Sequence, residues 1–387
     1  MKRICFITGT RADYGIMAPV MREIALNPDA ELQIIATNMH LSETYGMTVR
    51  EIEKDGFTVN VKIESLVEGG SPESTALSMA KVEEGLSAVF PILKPDLVVI
   101  LGDRYEALAA ASTAVVFNIP VAHLHGGETT EGAIDDKFRH AITQLSDYHF
   151  ASTSQYADRI VAMGKDRGKV FHSGAPGAEG NIRFYSEDGG EAEEIKKYTE
   201  EFYKKTGIYP GEPFIILAFH PVTLLADKGE KELESTLRAL DAFINQGYKI
   251  LVTMPNSDPG TEKIRETLTE WVNSRKGRAV AVKSLGSQLF HFAMENALAI
   301  VGNSSAALIE APSFRLGAVN VGIRQKGRAR GITVVDASGD EQKITDALNS
   351  VLSLEMKAVL MGMSVASLNP YYKENAASFI AQKLIEL

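Results

Sequence analysis

Short β-branched runs that alternate with longer amphipathic segments constrain this chain most. Strand and helix in strict turn build a parallel sheet covered by helices on both faces. Ile4 to Thr8, Leu32 to Thr37, Leu97 to Leu101, Pro120 to Leu124 and Tyr148 to Ala151 read as strands. Helical patterns at Ala18 to Ala25, Ser74 to Leu93 and Tyr105 to Phe117 lie between them. Several strands are apolar throughout, as expected when neither face meets water. The alternation breaks at Gly174-Ala175-Pro176-Gly177, at Gly189-Gly190 and at a charged helical run from Glu191 to Lys205. After Pro213 it resumes, with strands at Phe214 to Phe219, Lys249 to Thr253, Ala279 to Val282, Ala297 to Val301 and Ala318 to Val321. A chain of 387 residues exceeds one ordinary core. The expected fold class is therefore α/β, with two doubly wound Rossmann-like domains at 1–172 and 173–368 and a linker near 170–185. Tyr371 to Leu387 has helical spacing, with Phe379, Ile380, Leu384 and Ile385 as its apolar stripe. Ligands of such sheets bind beyond the carboxyl ends of the strands, so two in tandem predict an interdomain cleft.

Hydrophobic content of 45% and charged content of 23% are those of a globular protein. The formal charge of −10 argues against nucleic acid as a partner. It also requires any anionic ligand to meet locally concentrated cations. The single cysteine, Cys5, excludes an intrachain disulfide and reads as a small buried hydrophobe in a strand, which fits a reducing cytoplasm. Met1-Lys2-Arg3-Ile4 runs into a strand without a signal pattern, and no apolar stretch of about 18 residues is present, so no membrane partner is expected.

The polar motifs fall just after the expected strands. Thr8-Gly9-Thr10-Arg11-Ala12-Asp13 is a βα turn whose helix start can face an anion, but it lacks the dinucleotide glycine pattern. Leu101-Gly102-Asp103-Arg104 sets a carboxylate beside a guanidinium, and Asp103 reads either as an acid/base group or as a helix N-cap. His123-Leu124-His125-Gly126-Gly127-Glu128 places two histidines on one face of a strand, which raises a metal site, but no third ligand stands at a recognisable spacing. Asp135 and Arg139 are four apart on a helix and could be a surface ion pair. In the second half, Phe219-His220-Pro221, Met254-Pro255-Asn256-Ser257-Asp258 and Gly302-Asn303-Ser304-Ser305 each end a strand. The paired serines suit either a cap or a phosphate, Glu310 can accept from ribose hydroxyls, and Arg324, Lys326 and Arg328 add cations after a further strand.

The order of these motifs resembles the UDP-N-acetylglucosamine 2-epimerase family over essentially the whole chain. The matching residues are T-G-T-R-A-D, G-D-R, H-G-G-E, D-D-x-x-R-H, H-P-V-T, P-N-S-D-x-G and G-N-S-S-x-x-x-x-E. Ile134 to His140 and Asn256 to Gly260 look like the hydrolysing branch. The resemblance implies a B-type glycosyltransferase fold whose last helix, within 369–387, crosses back onto the N-terminal domain. It implies conversion of UDP-N-acetylglucosamine and water to N-acetylmannosamine and UDP, without cofactor or metal, by a homodimer or homotetramer. UDP-N,N′-diacetylbacillosamine is an alternative substrate, and a glycosyltransferase on the same architecture a competing activity. Carried over, Asp103, Glu128 and Asp135 are the essential carboxylates, with Arg139 beside them and His220 near the diphosphate. Ser304, Ser305, Glu310 and Arg324 match the UDP-binding positions, supported by Arg11 and Arg104, and Asp13, His40 and Asn256 join the substrate contacts. The chain departs from the family at Glu179, where an aspartate is common, and at Asn38, where a glycine is usual.

Overall fold

In the computed structural model, residues 1–179 and 191–387 are described, so Gly189-Gly190 lies outside the described residues. Two compact units emerge. The first comprises Met1–Thr130, Ile134–Gly177 and Tyr371–Leu387; the second comprises Glu131–Ala133 and Ala178–Pro370. The sequence divisions at 172 and 368 therefore move to 177 and 370, and the expected linker region contains a strand of the first sheet.

The first unit holds β1 (Lys2–Thr8), β2 (Ala30–Thr37), β3 (Val61–Ile63), β4 (Leu97–Leu101), β5 (Val121–Leu124), β6 (Tyr148–Ala151) and β7 (Val170–His172). They form one parallel sheet in the order β3-β2-β1-β4-β5-β6-β7. The second unit holds β8 (Phe214–Ala218), β9 (Lys249–Thr253), β10 (Ala279–Val282), β11 (Ala299–Gly302), β12 (Ala318–Val321) and β13 (Val334–Ala337), ordered β10-β9-β8-β11-β12-β13 and again parallel. Both units are thus doubly wound, and in each the strand order reverses at one point: between β1 and β4, and between β8 and β11. Crossovers diverge to opposite faces there and leave a crevice for ligands.

The central strands are buried along nearly their whole length, which explains why they read as continuous apolar runs. Cys5 is wholly buried, and burial pushes its thiol up to about 12. The last helix, Ala376–Glu386, holds the whole apolar stripe but is shorter than the Tyr371 to Leu387 span read as helical, and Asn375 precedes it in a left-handed conformation at φ 57°. Ile380 and Leu384 enter the core of the first unit beside Met17, Met21 and Ile24 of the helix Arg11–Ala25. Each such side chain contributes about 1.5–3 kcal/mol by burial. The backbone leading to this helix is tied to the same unit, since Ala175 N donates to Tyr371 O (2.9 Å) and Lys373 Nζ to His172 O (2.6 Å).

Candidate active site

In the first unit the site grows from the loops after β1, β4 and β5. Thr10 caps the helix Arg11–Ala25 in a reciprocal capping box with Asp13. The Asp13 carboxylate also accepts from Gly9 N (3.0 Å), Tyr14 N (2.6 Å) and the Thr8 hydroxyl (2.7 Å). Those bonds occupy its acceptor capacity, so Asp13 shapes the turn. His40 is held within the protein in the same way. It is fully buried, with Nε2 on the Thr8 hydroxyl (2.9 Å) and Nδ1 on the Thr48 hydroxyl (2.8 Å). Desolvation lowers its pKa to about 4 against the pull of Asp13, so it is a neutral clamp. Arg11 stands half-buried at the first helical position.

Arg104 opens the helix Tyr105–Val116, and no side chain caps it. The capping alternative for Asp103 is therefore not what is seen. The Asp103 carboxylate instead accepts from the guanidinium of Arg139, whose side chain is 2% exposed against 22% for Asp103. Arg139 also donates to the Thr130 hydroxyl (2.8 Å) and lies 3.9 Å from Asp136. Arg139 is thus buried rather than at the surface; Asp136 accepts from Thr130 N (2.6 Å), and Asp135, half-buried, begins the helix Asp135–Leu145. Arg104 is drawn into the protein by Glu106, Nε to Oε1 at 2.5 Å. Burial raises the Glu106 pKa, opposed by Arg104. This carboxylate explains Gly9, where a Cβ would come within 2.5 Å of Glu106 Oε1.

The β4 and β5 loops are stitched together. Gly102 N donates to Leu124 O (2.9 Å), and Gly102 O meets His123 Nε2 (2.7 Å). His123 is wholly buried, and desolvation lowers its pKa to about 4, so it is a neutral strut. No group of three His, Cys, Asp or Glu suited to a metal occurs among the described residues. His125 follows at φ 62°, a backbone state uncommon outside glycine. Its Nδ1 lies 2.8 Å from Glu128 Oε1, which also accepts from the Ser152 hydroxyl (2.6 Å). Glu128 is wholly buried.

In the second unit Asn303 bridges the strand-order reversal. Its Oδ1 accepts from His220 N (2.7 Å) and its Nδ2 donates to His220 O (2.8 Å), joining the ends of β8 and β11. The Asn303 carbonyl accepts from Arg324 (3.1 Å) and Gln325 (2.8 Å), and Arg324 lies 3.9 Å from Asp258. Gly302, at φ 134°, admits no Cβ because the Ala218 carbonyl occupies that space. Ser304 and Ser305 are half-buried, and Ser305 opens a helix of only four residues, Ala306–Ile309, without a side-chain cap bond. Pro312 explains its brevity, since it cannot donate within a continuing helix. Glu310 meets His291 Nε2 (3.0 Å), which fixes one carboxylate oxygen. The Asn256 carbonyl accepts from the Thr261 hydroxyl (2.6 Å), bracing its loop. Asn303, Gln325, Glu106 and His291 brace these loops and were not singled out in the sequence, although Asn303 stood inside Gly-Asn-Ser-Ser and Gln325 inside the cationic run after β12.

Two Rossmann-like sheets, one with clustered carboxylates and the other with hydroxyl, amide and guanidinium groups at the strand-order reversal, define the class of two-domain nucleotide-sugar enzymes. The UDP-N-acetylglucosamine 2-epimerase family matches residues 22–385. The chain is 36% identical over 354 residues to UDP-N,N′-diacetylbacillosamine 2-epimerase (hydrolyzing) of Legionella pneumophila, covering 91% of this chain and 89% of the relative. It is 35% identical over 358 residues to the GDP/UDP-N,N′-diacetylbacillosamine 2-epimerase (hydrolyzing) of Campylobacter jejuni, covering 92% and 89%. In fold it is similar to the UDP-GlcNAc 2-epimerase from Neisseria meningitidis bound to UDP-GlcNAc, with a TM-score of 0.79, 17% identity and full coverage of both chains. The chain belongs to the hydrolysing UDP-N-acetylglucosamine 2-epimerase family.

Proposed function

We propose that this chain cleaves a UDP-linked 2-acetamido sugar and inverts C2, releasing UDP and the free 2-epimer. The first reading is UDP-N-acetylglucosamine to N-acetylmannosamine. UDP-N,N′-diacetylbacillosamine is the second, favoured by the names of the two relatives above. The observation that carries the proposal is Asp103 at the strand-order reversal of the first sheet, held by a buried arginine rather than spent on a helix cap. C2–H beside an acetamido group is weakly acidic, so it leaves only as the C1–O bond breaks. Acid/base groups are then needed on two faces of the sugar. Asp103, Asp135 and the Glu128–His125 pair, with Arg139, are assigned to that chemistry. His220, Ser304, Ser305, Glu310, Asn256 and Arg324, supported by Arg11 and Arg104, are assigned to the nucleotide, where cations and hydroxyls neutralise the departing diphosphate. No bound cofactor is invoked. We take the protein to act in the cytoplasm, as a homodimer or homotetramer, on the sequence grounds given above.

The test is product identification with both UDP-sugars in deuterium oxide. UDP, the free 2-epimer and deuterium at C2 are expected. UDP release without deuterium at C2 refutes the mechanism, and an obligatory acceptor sugar would instead indicate a glycosyltransferase.

A further inference from the structure

We propose that His125 is the base that takes the C2 proton, and that Glu128 is the residue that positions it; this rests on the epimerase reading above. Three observations converge. Glu128 is wholly buried, and its Oε1 already serves His125 Nδ1 (2.8 Å) and the Ser152 hydroxyl (2.6 Å), so its carboxylate is committed to the protein. A carboxylate on Nδ1 fixes the neutral imidazole with its proton there and leaves the Nε2 lone pair as the basic atom. His125 Nε2 is buried and has no hydrogen-bond partner in the protein. Buried polar atoms are nearly always paired, so this orphan calls for an explanation.

The backbone supports the same assignment. His125 holds a left-handed φ of 62° directly after β5, and residues in such states cluster where a side chain must be aimed. His125 N donates to Phe150 O (3.0 Å), which anchors the strained residue to β6. The loop that carries Asp103 is tied to this strand through Gly102 and Leu124, so the two groups rise from adjacent, bonded strand ends.

In the step, Nε2 takes the proton from C2, the C2–H electron pair becomes the C1=C2 double bond, and the C1–O pair leaves on UDP. The imidazolium then loses its proton to solvent. Water adds its oxygen to C1 and releases a proton, while an acid on the opposite face protonates C2. The sum is one water consumed, with UDP and the 2-epimer formed.

The experiment compares His125→Ala, Glu128→Gln and the double variant by kcat, KM and deuterium at C2, with UDP binding as the check on folding. His125→Ala is expected to lose at least about 10²-fold in kcat, with UDP affinity within a few-fold of wild type and turnover partly restored by added imidazole. Glu128→Gln keeps an acceptor for Nδ1, so it should lose less than His125→Ala, and the double variant should be no slower than His125→Ala. Near-normal kcat in His125→Ala overturns the proposal. So does a Glu128→Gln variant at least as slow as His125→Ala with multiplicative loss in the double, or a His125→Ala variant that binds UDP but gains nothing from imidazole. A wild-type protein that releases UDP without deuterium at C2 overturns the epimerase reading itself, a result distinct from the variant outcomes.

Discussion

Replacing Arg139 with methionine tests whether the Asp103 cluster is a buried ionic unit. The substitution keeps the apolar stem and removes the guanidinium that serves Asp103 and the Thr130 hydroxyl. Breaking a buried pair by removing one partner costs about 3–5 kcal/mol. The lower end applies, because the Asp103 side chain is 22% exposed and water can partly solvate it. The lost Thr130 bond adds about 1 kcal/mol at most. Arg139→Met should therefore destabilise the protein by about 3–4 kcal/mol in urea unfolding. Adding Asp103→Asn removes the stranded charge, so the double variant should recover about 1–2 kcal/mol relative to Arg139→Met, giving a non-additive double-mutant cycle. A loss below about 1 kcal/mol for Arg139→Met, together with an additive cycle, would refute the ionic account.

Three further outcomes follow from other parts of the chain. Glu232 is half-buried, its Oε2 lacks a partner, and burial with Asp227 nearby raises its pKa to about 6. Its ordinary value is 4.5, so its stabilising contribution is complete below about that pH and is lost as pH rises through 6. Glu232→Gln should therefore raise stability at pH 8, by about 1 kcal/mol after allowing for solvent screening, and show no gain at pH 4; equal effects at both pH values would contradict this. His40, His123 and His149 have pKa values lowered by burial to about 4, 4 and 3, from 6.5. Their neutral forms stabilise the fold above 6.5, and that stability is lost as pH falls toward the folded values. His149→Phe should flatten the urea-midpoint profile below pH 6 by the equivalent of about 1.4 kcal/mol per pH unit, whereas parallel profiles would exclude it. Gly9→Ala should displace Glu106 from Arg104, a residue assigned to the nucleotide, and so weaken UDP binding; an unchanged UDP affinity by titration would contradict this.

All ten strands read from the sequence exist: nine are central parallel strands that bury both faces and so announce themselves as unbroken apolar runs, and the tenth, β10, is an edge strand legible only through the apolar run Ala279-Val280-Ala281-Val282. The strands that escaped were β3, β7 and β13, each at a sheet edge, three or four residues long, and only partly buried. Such strands carry no period long enough to read. Site residues divide in the same way. Asp103 was legible because strand-end position is local in sequence. Whether it served as an acid/base group or a helix N-cap stayed open, since the Arg139 that holds it arrives from a helix 36 positions away. Asp13 and His40 matched a motif but are held by Thr8, Thr10 and Thr48, and a motif does not say whether its members face ligand or one another. His125 drew notice only as half of a histidine pair, because an orphaned ring nitrogen becomes visible only with all neighbours in place.

The return of Tyr371–Leu387 to the first unit has a consequence for synthesis. Emerging from the ribosome in order, the second unit has almost its whole core available while the first still lacks Ile380 and Leu384. The unit translated first is thus the last that can close, and during that interval the apolar face of Arg11–Ala25 waits uncovered. Removing residues 376–387 would leave the nucleotide-assigned unit whole and strike the carboxylate-bearing one, although most of that unit's own sequence lies far upstream.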